Sequence, residues 1–467
     1  MGPPIDKREI LYIPTMYDHL CTITISLLLL YLAYWLWQKQ KYISNLNLFI
    51  ISIVTVCVYT SPWLAISTKY VIGAYPTIDK EGSFLFYVDG VHIRSLLHPI
   101  DSLSDTSVQL IGFHMGHLWI NQFFNVFLSG YAACNFQVLS NLVLNLYSCY
   151  LLLEVQQTTP ADNNPIHTSS DISSRRKHLS WSVFIISICF SLQLHIFRDI
   201  HWYTVEKSAI YPILFFWREI LLLEKNKKNR YLLGIYYFFA AYINFYWAIV
   251  LGILGAFYTI KNIFQKNNTL NLYKNIAFCT CIGVLIGTYQ MTLQQHPFAT
   301  HAEFATRASL DILDITHLNW NRMEFWRAIH PMILIFAGGS VVAIFFQKIQ
   351  KNTIQFKYLD KNKTDNLFLI IIASIFTFLS FGPTLYGYTN PIYSLFSQLP
   401  GMWRFAKPEI FFFIPYIIIC IFSLQNKYLS NKYALFVLLC MQIYITHTST
   451  EYPYITQFIQ SKLHFVP

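Results

Sequence analysis

Residues 72–119 read IGAYPTIDKEGSFLFYVDGVHIRSLLHPIDSLSDTSVQLIGFHMGHLW, and this stretch interrupts a chain that otherwise consists largely of apolar runs. It holds five acidic residues, four histidines and two basic residues, although charged residues make up only 12% of the whole chain. It lies between segments that are apolar enough to cross a membrane. We therefore expect it to lie outside the bilayer, and we expect any chemistry to take place there.

The composition predicts an all-α polytopic membrane protein. Of the 467 residues, 55% are hydrophobic and 18% are aromatic, and the mean hydropathy is +0.41. Apolar runs of about 17–20 residues recur along the chain, and a helix of that length matches the thickness of a bilayer core. One multi-span domain, 1–467, accounts for the whole chain. The twelve predicted spans are 19–37, 47–66, 136–153, 179–197, 208–223, 231–244, 246–262, 276–293, 330–347, 366–382, 409–425 and 433–447.

The basic residues predict how this domain is oriented. The segments on one side of the spans hold 19 Lys and Arg residues in 78 positions, and those on the other side hold 13 in 177. Cytoplasmic loops of membrane proteins carry the excess of Lys and Arg, so the first side is predicted to be cytoplasmic. The stretches 68–135, 294–328 and 383–408 then lie outside, as do both termini. This distribution explains the net charge of +10 without a nucleic-acid partner.

The end of the first outer stretch is moderately apolar but interrupted by polar residues. This pattern, from Asp105 to Asn135, predicts an amphipathic helix that lies on the outer leaflet.

Asp101 and Asp105 are the first candidates for chemistry. They are four residues apart, so on a helix both carboxylates would share one face. One carboxylate of such a pair can accept a proton while the other positions a hydroxyl. The alternative is that the two residues are only turn or N-cap residues, since Ser102 and Thr106 follow them.

His114 and His117 also share a face at this spacing, which can place two ligands on one metal ion. A third ligand would have to come from elsewhere, so the sequence predicts no complete metal site. Use of a divalent cation stays open, and contact with a phosphate is the other functional interpretation.

The second and third outer stretches carry arginines on the side where basic residues are scarce. Arg307 is one of three arginines in 294–328, and Arg404 and Lys407 close 383–408. Such exceptions are explained by an anionic ligand, such as a lipid-linked phosphate, or by ion pairs with neighbouring acids. A further pair, Arg218 and Glu219, lies inside a predicted span, where we expect both side chains to reach toward the cytoplasmic interface.

Three short motifs occur in the predicted outer stretches. The last outer stretch contains Asn390-Pro391-Ile392-Tyr393, then Leu399-Pro400-Gly401, Arg404-Phe405 and Pro408-Glu409. The second contains Ser309-Leu310-Asp311-Ile312-Leu313, and the first contains Asp105 followed by His117-Leu118-Trp119. These motifs, in this order, resemble those of the bacterial YfhO-type membrane proteins of the C-type glycosyltransferase superfamily.

The resemblance implies a transferase that takes a sugar from a polyprenyl phosphate at the outer leaflet of a bacterial inner membrane. Asp105 or Asp101 would act as the base on an acceptor hydroxyl. Outer cations would hold the donor phosphate, and further outer side chains would contact substrate. The implied substrate-binding residues are His114, His117, Trp119, Arg307, Asp311, Arg404 and Lys407.

Two other classes of function fit the same sequence. One is a transporter or flippase for a lipid-linked or anionic substrate, which would carry charged groups near the middle of the membrane. The other is a non-catalytic subunit whose aromatic surface packs against a membrane protein partner.

Overall fold

The structure of the chain is a computed structural model. It describes residues 16, 20, 23–24, 27–28, 31, 35, 44–60, 70–72, 120, 123–124, 126–128, 130–157, 179–193, 196–197, 208–226, 232–264, 274, 277–278, 281, 330–351, 361–385, 388–397, 408–448 and 455–457.

These residues are mostly helical, as the sequence predicted, and helices occupy ten of the twelve predicted spans. The predicted spans 19–37 and 276–293 lie mainly outside the described residues. The helices are α1 Asn45–Tyr59, α2 Gly130–Gln157, α3 Trp181–Ser191, α4 Tyr211–Asn226, α5 Leu232–Ile243, α6 Phe245–Phe264, α7 Pro331–Lys351, α8 Lys361–Ser380, α9 Pro391–Ser397, α10 Phe413–Leu424 and α11 Lys432–Thr448.

Two of the described segments are long and apolar enough to cross a membrane, by length and composition alone. They are Asn135–Gln157 in α2 and Trp247–Phe264 in α6. The other apolar helices are shorter; α1 and α3, for example, have 15 and 11 residues. Short 3₁₀ turns at Pro408–Phe412 and Lys427–Ser430 precede α10 and α11.

Helix α2 packs against α1, α3 and α4, and α10 packs against α3, α7 and α8. Large apolar and aromatic side chains fill the space between the helices, and Trp217 and Trp247 are fully buried. The core continues across both groups of helices as one cluster.

Polar side chains determine several helix ends. Ser44 caps α1 by accepting a hydrogen bond from the Asn47 N–H at 3.2 Å. Asn244 separates α5 from α6, between the predicted spans 231–244 and 246–262. The fold therefore places asparagine and serine where the helix backbone needs a partner.

The structure differs from the sequence prediction in three places. Among the described residues, four short strands form two antiparallel pairs, 70–72 with 455–457 and 384–385 with 388–389, so the fold is not purely helical. A turn at 126–128 precedes α2, so the predicted interfacial helix does not run as one helix to Asn135. The predicted loop 383–408 contains helix α9.

Several helices expose large apolar side chains along one face. Helix α11 exposes Tyr433, Phe436, Val437, Ile443 and Tyr444, and α5 exposes four large apolar residues between Leu232 and Phe239. Helical spacing of three, four and seven residues places the α11 residues on one side of that helix.

Candidate functional site at a meeting of helix ends

The residues predicted to carry chemistry lie outside the described part of the chain. The candidate site is therefore built from the described residues that border the three outer stretches. The predicted residues outside the described ranges are Asp101, Asp105, His114, His117, Trp119, Arg307, Asp311, Arg404 and Lys407.

Two of the outer stretches are bordered by residues that contact each other. His330 follows 294–328 and starts α7, and Tyr416 lies one turn into α10, after 383–408. The His330 backbone N–H donates to the Tyr416 hydroxyl at 3.4 Å, and that hydroxyl donates to the Cys189 carbonyl at 3.3 Å. Tyr416 thus connects the start of α7 to the last turn of α3.

Helix α1, which precedes the first outer stretch, ends at a residue that reaches the same part of α3. Tyr59, the last residue of α1, donates from its hydroxyl to the Gln442 carbonyl at 3.4 Å. The Gln442 side-chain amide donates to the Leu192 carbonyl at 2.9 Å. Tyr59 also stacks on Phe197, with 6.1 Å between ring centroids.

We call this set the convergence region: Tyr59, Cys189, Leu192, His330, Tyr416 and Gln442. Each bond in it joins residues far apart in the sequence. Tyr59, His330 and Tyr416, which we call the border residues, lie in or beside the helices that flank the three predicted outer stretches, and they are connected through the end of α3.

Aromatic rings surround the convergence region. Phe190 packs on Tyr416 at 5.1 Å between centroids, and Phe412 stacks on it at 6.4 Å. Trp247 packs edge-on against Phe413 at 5.7 Å. The described part of the region is thus buried, and aromatic rings enclose its hydrogen-bonded hydroxyl, amide and carbonyl groups.

The motif Asn390-Pro391-Ile392-Tyr393 has a structural role in this fold. The Asn390 amide donates to the Phe378 carbonyl at 2.6 Å and to the Gly382 carbonyl at 2.9 Å. Its oxygen accepts from the backbone N–H groups of Ile392 and Tyr393. Asn390 therefore caps α9 and holds it against the end of α8, where Gly382 adopts a φ of 69°.

A cluster that sequence reasoning missed lies elsewhere in the bundle. The Lys261 ammonium lies 3.2 Å from Glu224 and 3.0 Å from Asp365, and the Asn262 amide donates to Glu224 at 3.0 Å. The ammonium also lies over the ring of Phe368, 5.1 Å from its centroid. Burial raises the pKa of Glu224 above its usual value, and the neighbouring Lys261 opposes this rise.

Glu224, Lys261 and Asp365 each lie within one residue of an end of the predicted spans 208–223, 246–262 and 366–382, which was the available signal. Their pairing could not be predicted, because it depends on how α4, α6 and α8 pack.

Arg218 and Glu219 form an ion pair at 3.0 Å within α4. The Glu219 side chain is only 1% exposed and that of Arg218 is 16% exposed. Glu219 is therefore inside the bundle, and the expectation that both side chains reach toward an interface is wrong for Glu219.

No protein-family model, curated protein or solved structure matches this chain. Among the described residues, no group of three His, Cys, Asp or Glu side chains lies close enough together to hold a metal ion.

Proposed function

We propose that the chain is a multi-span protein of a bacterial inner membrane, with about twelve spans and both termini outside. Two helices of spanning length support this proposal. The apolar faces of α5 and α11 also support it, because soluble proteins rarely expose such large contiguous apolar surfaces. The bilayer is the partner that would cover these faces.

We further propose that it transfers a sugar from a polyprenyl-phosphate donor at the outer leaflet. Asp105, or Asp101 in its place, would be the base. Arg307, Arg404 and Lys407 would hold the donor phosphate, and His114, His117, Trp119 and Asp311 would contact the substrates.

The meeting of the three border residues in the convergence region is the observation that best supports this proposal. Tyr59, His330 and Tyr416 are connected through the end of α3. Stretches that are attached to connected helices can contribute to one site. A base from 68–135 and cations from 294–328 and 383–408 could then act on the same substrate.

The proposed reaction needs few groups. The carboxylate takes the proton of the acceptor hydroxyl while the hydroxyl oxygen attacks the anomeric carbon of the sugar. The bond from that carbon to the phosphate oxygen breaks, and the phosphate leaves with the electron pair. Fixed cations lower the energy of the transition state by stabilising the charge that develops on the phosphate.

The test is sugar transfer by the purified full-length protein in lipid nanodiscs, with a polyprenyl-phosphate [¹⁴C]hexose as donor and a membrane-lipid extract as acceptor. We expect Asp105→Asn or Asp101→Asn to lower the rate about 10²–10⁴-fold, the range for loss of a general base. Asp365→Asn is the matched control, because Asp365 belongs to the Lys261 cluster. Unchanged transfer in both aspartate variants would overturn the proposal.

The buried Arg218–Glu219 pair favours a second candidate, a transporter or flippase for a lipid-linked or anionic substrate. A charged pair inside a membrane helix is costly and usually serves ion or substrate movement. If this alternative holds, Glu219→Gln would stop movement of a fluorescent lipid phosphate across proteoliposome membranes, while Asp105→Asn would leave it unchanged.

A further inference from the structure

Helix α2 indicates the depth of the convergence region in the membrane. Its candidate span, Asn135–Gln157, has 23 residues. At 1.5 Å per residue this is about 33 Å, close to the thickness of a bilayer core. Leu146 lies at its middle.

Helix α4 starts beside the middle of this span. The Asn145 side-chain oxygen accepts from the backbone N–H groups of Ile210 and Tyr211 at 3.1 and 2.9 Å. Its amide donates to the Ser208 carbonyl at 2.6 Å. Asn145 thus supplies the hydrogen bonds that a preceding helical turn would otherwise provide.

The end of α3 reaches a similar level, because Ser187 and Ser191 lie beside Cys149. The Cys189 carbonyl lies between these serines in the sequence and accepts from Tyr416, which in turn accepts from His330. The start of α4, the end of α3 and the start of α7 are therefore all connected to the middle third of α2.

Polar residues on one face of α2 explain how irregular backbone is tolerated there. Gln137, Asn141, Asn145 and Ser148 recur at helical spacing in a largely apolar helix, and all four are buried. The Asn141 amide donates to the Ser208 hydroxyl at 3.3 Å. Within a bilayer, non-helical backbone persists only where protein or a water-filled cavity satisfies its polar groups.

We infer that the chain enters the outer half of the membrane to begin α4 beside the middle of α2, where the buried side chains of Asn141 and Asn145 satisfy its backbone and Ser208. The inference rests on the membrane part of the proposed function and does not require sugar transfer. It predicts that Ser208 lies next to Asn141, well below the outer end of α2. The stretch 198–207, which joins Phe197 to Ser208, carries five ionisable residues.

Disulfide formation in full-length protein in native membranes tests the position of Ser208. We expect the double variant Asn141→Cys/Ser208→Cys to form a disulfide, because the two side chains are in contact. Gln137→Cys/Ser208→Cys is the control, one turn further out on the same face, and should not form one. The reverse result would place the start of α4 further out and overturn the inference.

Thiol labelling tests whether α2 crosses the membrane. Phe136→Cys and Gln157→Cys are both at exposed positions of α2. In sealed vesicles a membrane-impermeant maleimide should label each from a different side, above the signal of the unsubstituted chain. Labelling of both from one side would show that α2 does not cross, and would also overturn the inference. Neither experiment measures activity, so failure of the transfer assay would leave their outcome unaffected.

Discussion

Asn145 and Asn47 are both buried asparagines of apolar helices, but they differ in their hydrogen bonds. Asn145 bonds to three backbone groups, whereas neither the side-chain nitrogen nor the side-chain oxygen of Asn47 has a hydrogen-bond partner among the described residues. Leaving a buried polar group unpaired costs about 1–3 kcal/mol, whereas replacing one that is already unpaired is neutral or stabilising.

We therefore predict that Asn145→Leu lowers the free energy of unfolding by about 2–4 kcal/mol, because several backbone groups lose their partner. Asn47→Leu, the same change at an equally buried site, should leave the free energy unchanged or raise it. Thermal unfolding of both variants in nanodiscs would measure the difference. Equal destabilisation would mean that the Asn145 bonds contribute nothing beyond side-chain packing.

Lys261 holds two carboxylates from different helices, and only 9% of its side chain is exposed. Lys261→Met should lower the free energy of unfolding by about 2 kcal/mol, between the values for exposed and buried ion pairs. Lys432→Met is the control, because Lys432 is exposed and lies over the ring of Tyr433.

The Lys261→Met variant should also change how the free energy of unfolding depends on pH. The folded-state pKa of Glu224 lies above the ordinary value of 4.5, so its protonated form favours the folded state. This contribution is fully present below pH 4.5 and is lost as the pH rises through the folded-state pKa. Removing Lys261 raises that pKa further, so Lys261→Met should regain stability on acidification toward pH 4.5, as melting temperature against pH would show.

At the scale of elements, Asn390 joins the end of α8 to the start of α9. Asn390→Ala removes its side-chain bonds to four backbone groups, so α9 should lose its cap while α8 stays folded. Hydrogen exchange should rise in a peptide covering 391–397. Asn366→Ala is the control, since Asn366 is near the other end of α8 and accepts from Gln425. A uniform rise across α8 and α9 would contradict a local role.

The sequence predicted helices better than it predicted their ends. Runs such as 246–262 are long and apolar, so periodicity and length locate a helix there whatever its neighbours are. The start of α4 was different, because its backbone hydrogen bonds are completed by Asn145, which is 63 residues away from Ser208 in the sequence. Such a partner is set by tertiary packing and leaves no local signal.

At the scale of the whole molecule, the candidate site could be predicted only as a set of stretches. Charge bias placed 68–135, 294–328 and 383–408 together on one side. Their border residues meet through Tyr416, Gln442 and the end of α3. Those contacts involve single hydroxyl and amide groups on otherwise apolar helices, and sequence alone does not distinguish them from other core residues.

The outward apolar faces give a whole-molecule prediction. A charged substitution there should be costly if the face contacts lipid and nearly neutral if it contacts water. Phe436 on α11 is 66% exposed. In a bilayer, Phe436→Asp should cost about 2–3 kcal/mol of insertion energy, whereas on a water-facing surface such a change stays within about 0.5 kcal/mol. We expect a smaller membrane-inserted yield and a lower melting temperature in nanodiscs. Tyr428→Asp is the control, at a residue 64% exposed in the short turn before α11, and identical behaviour of the two variants would argue against lipid on the α11 face.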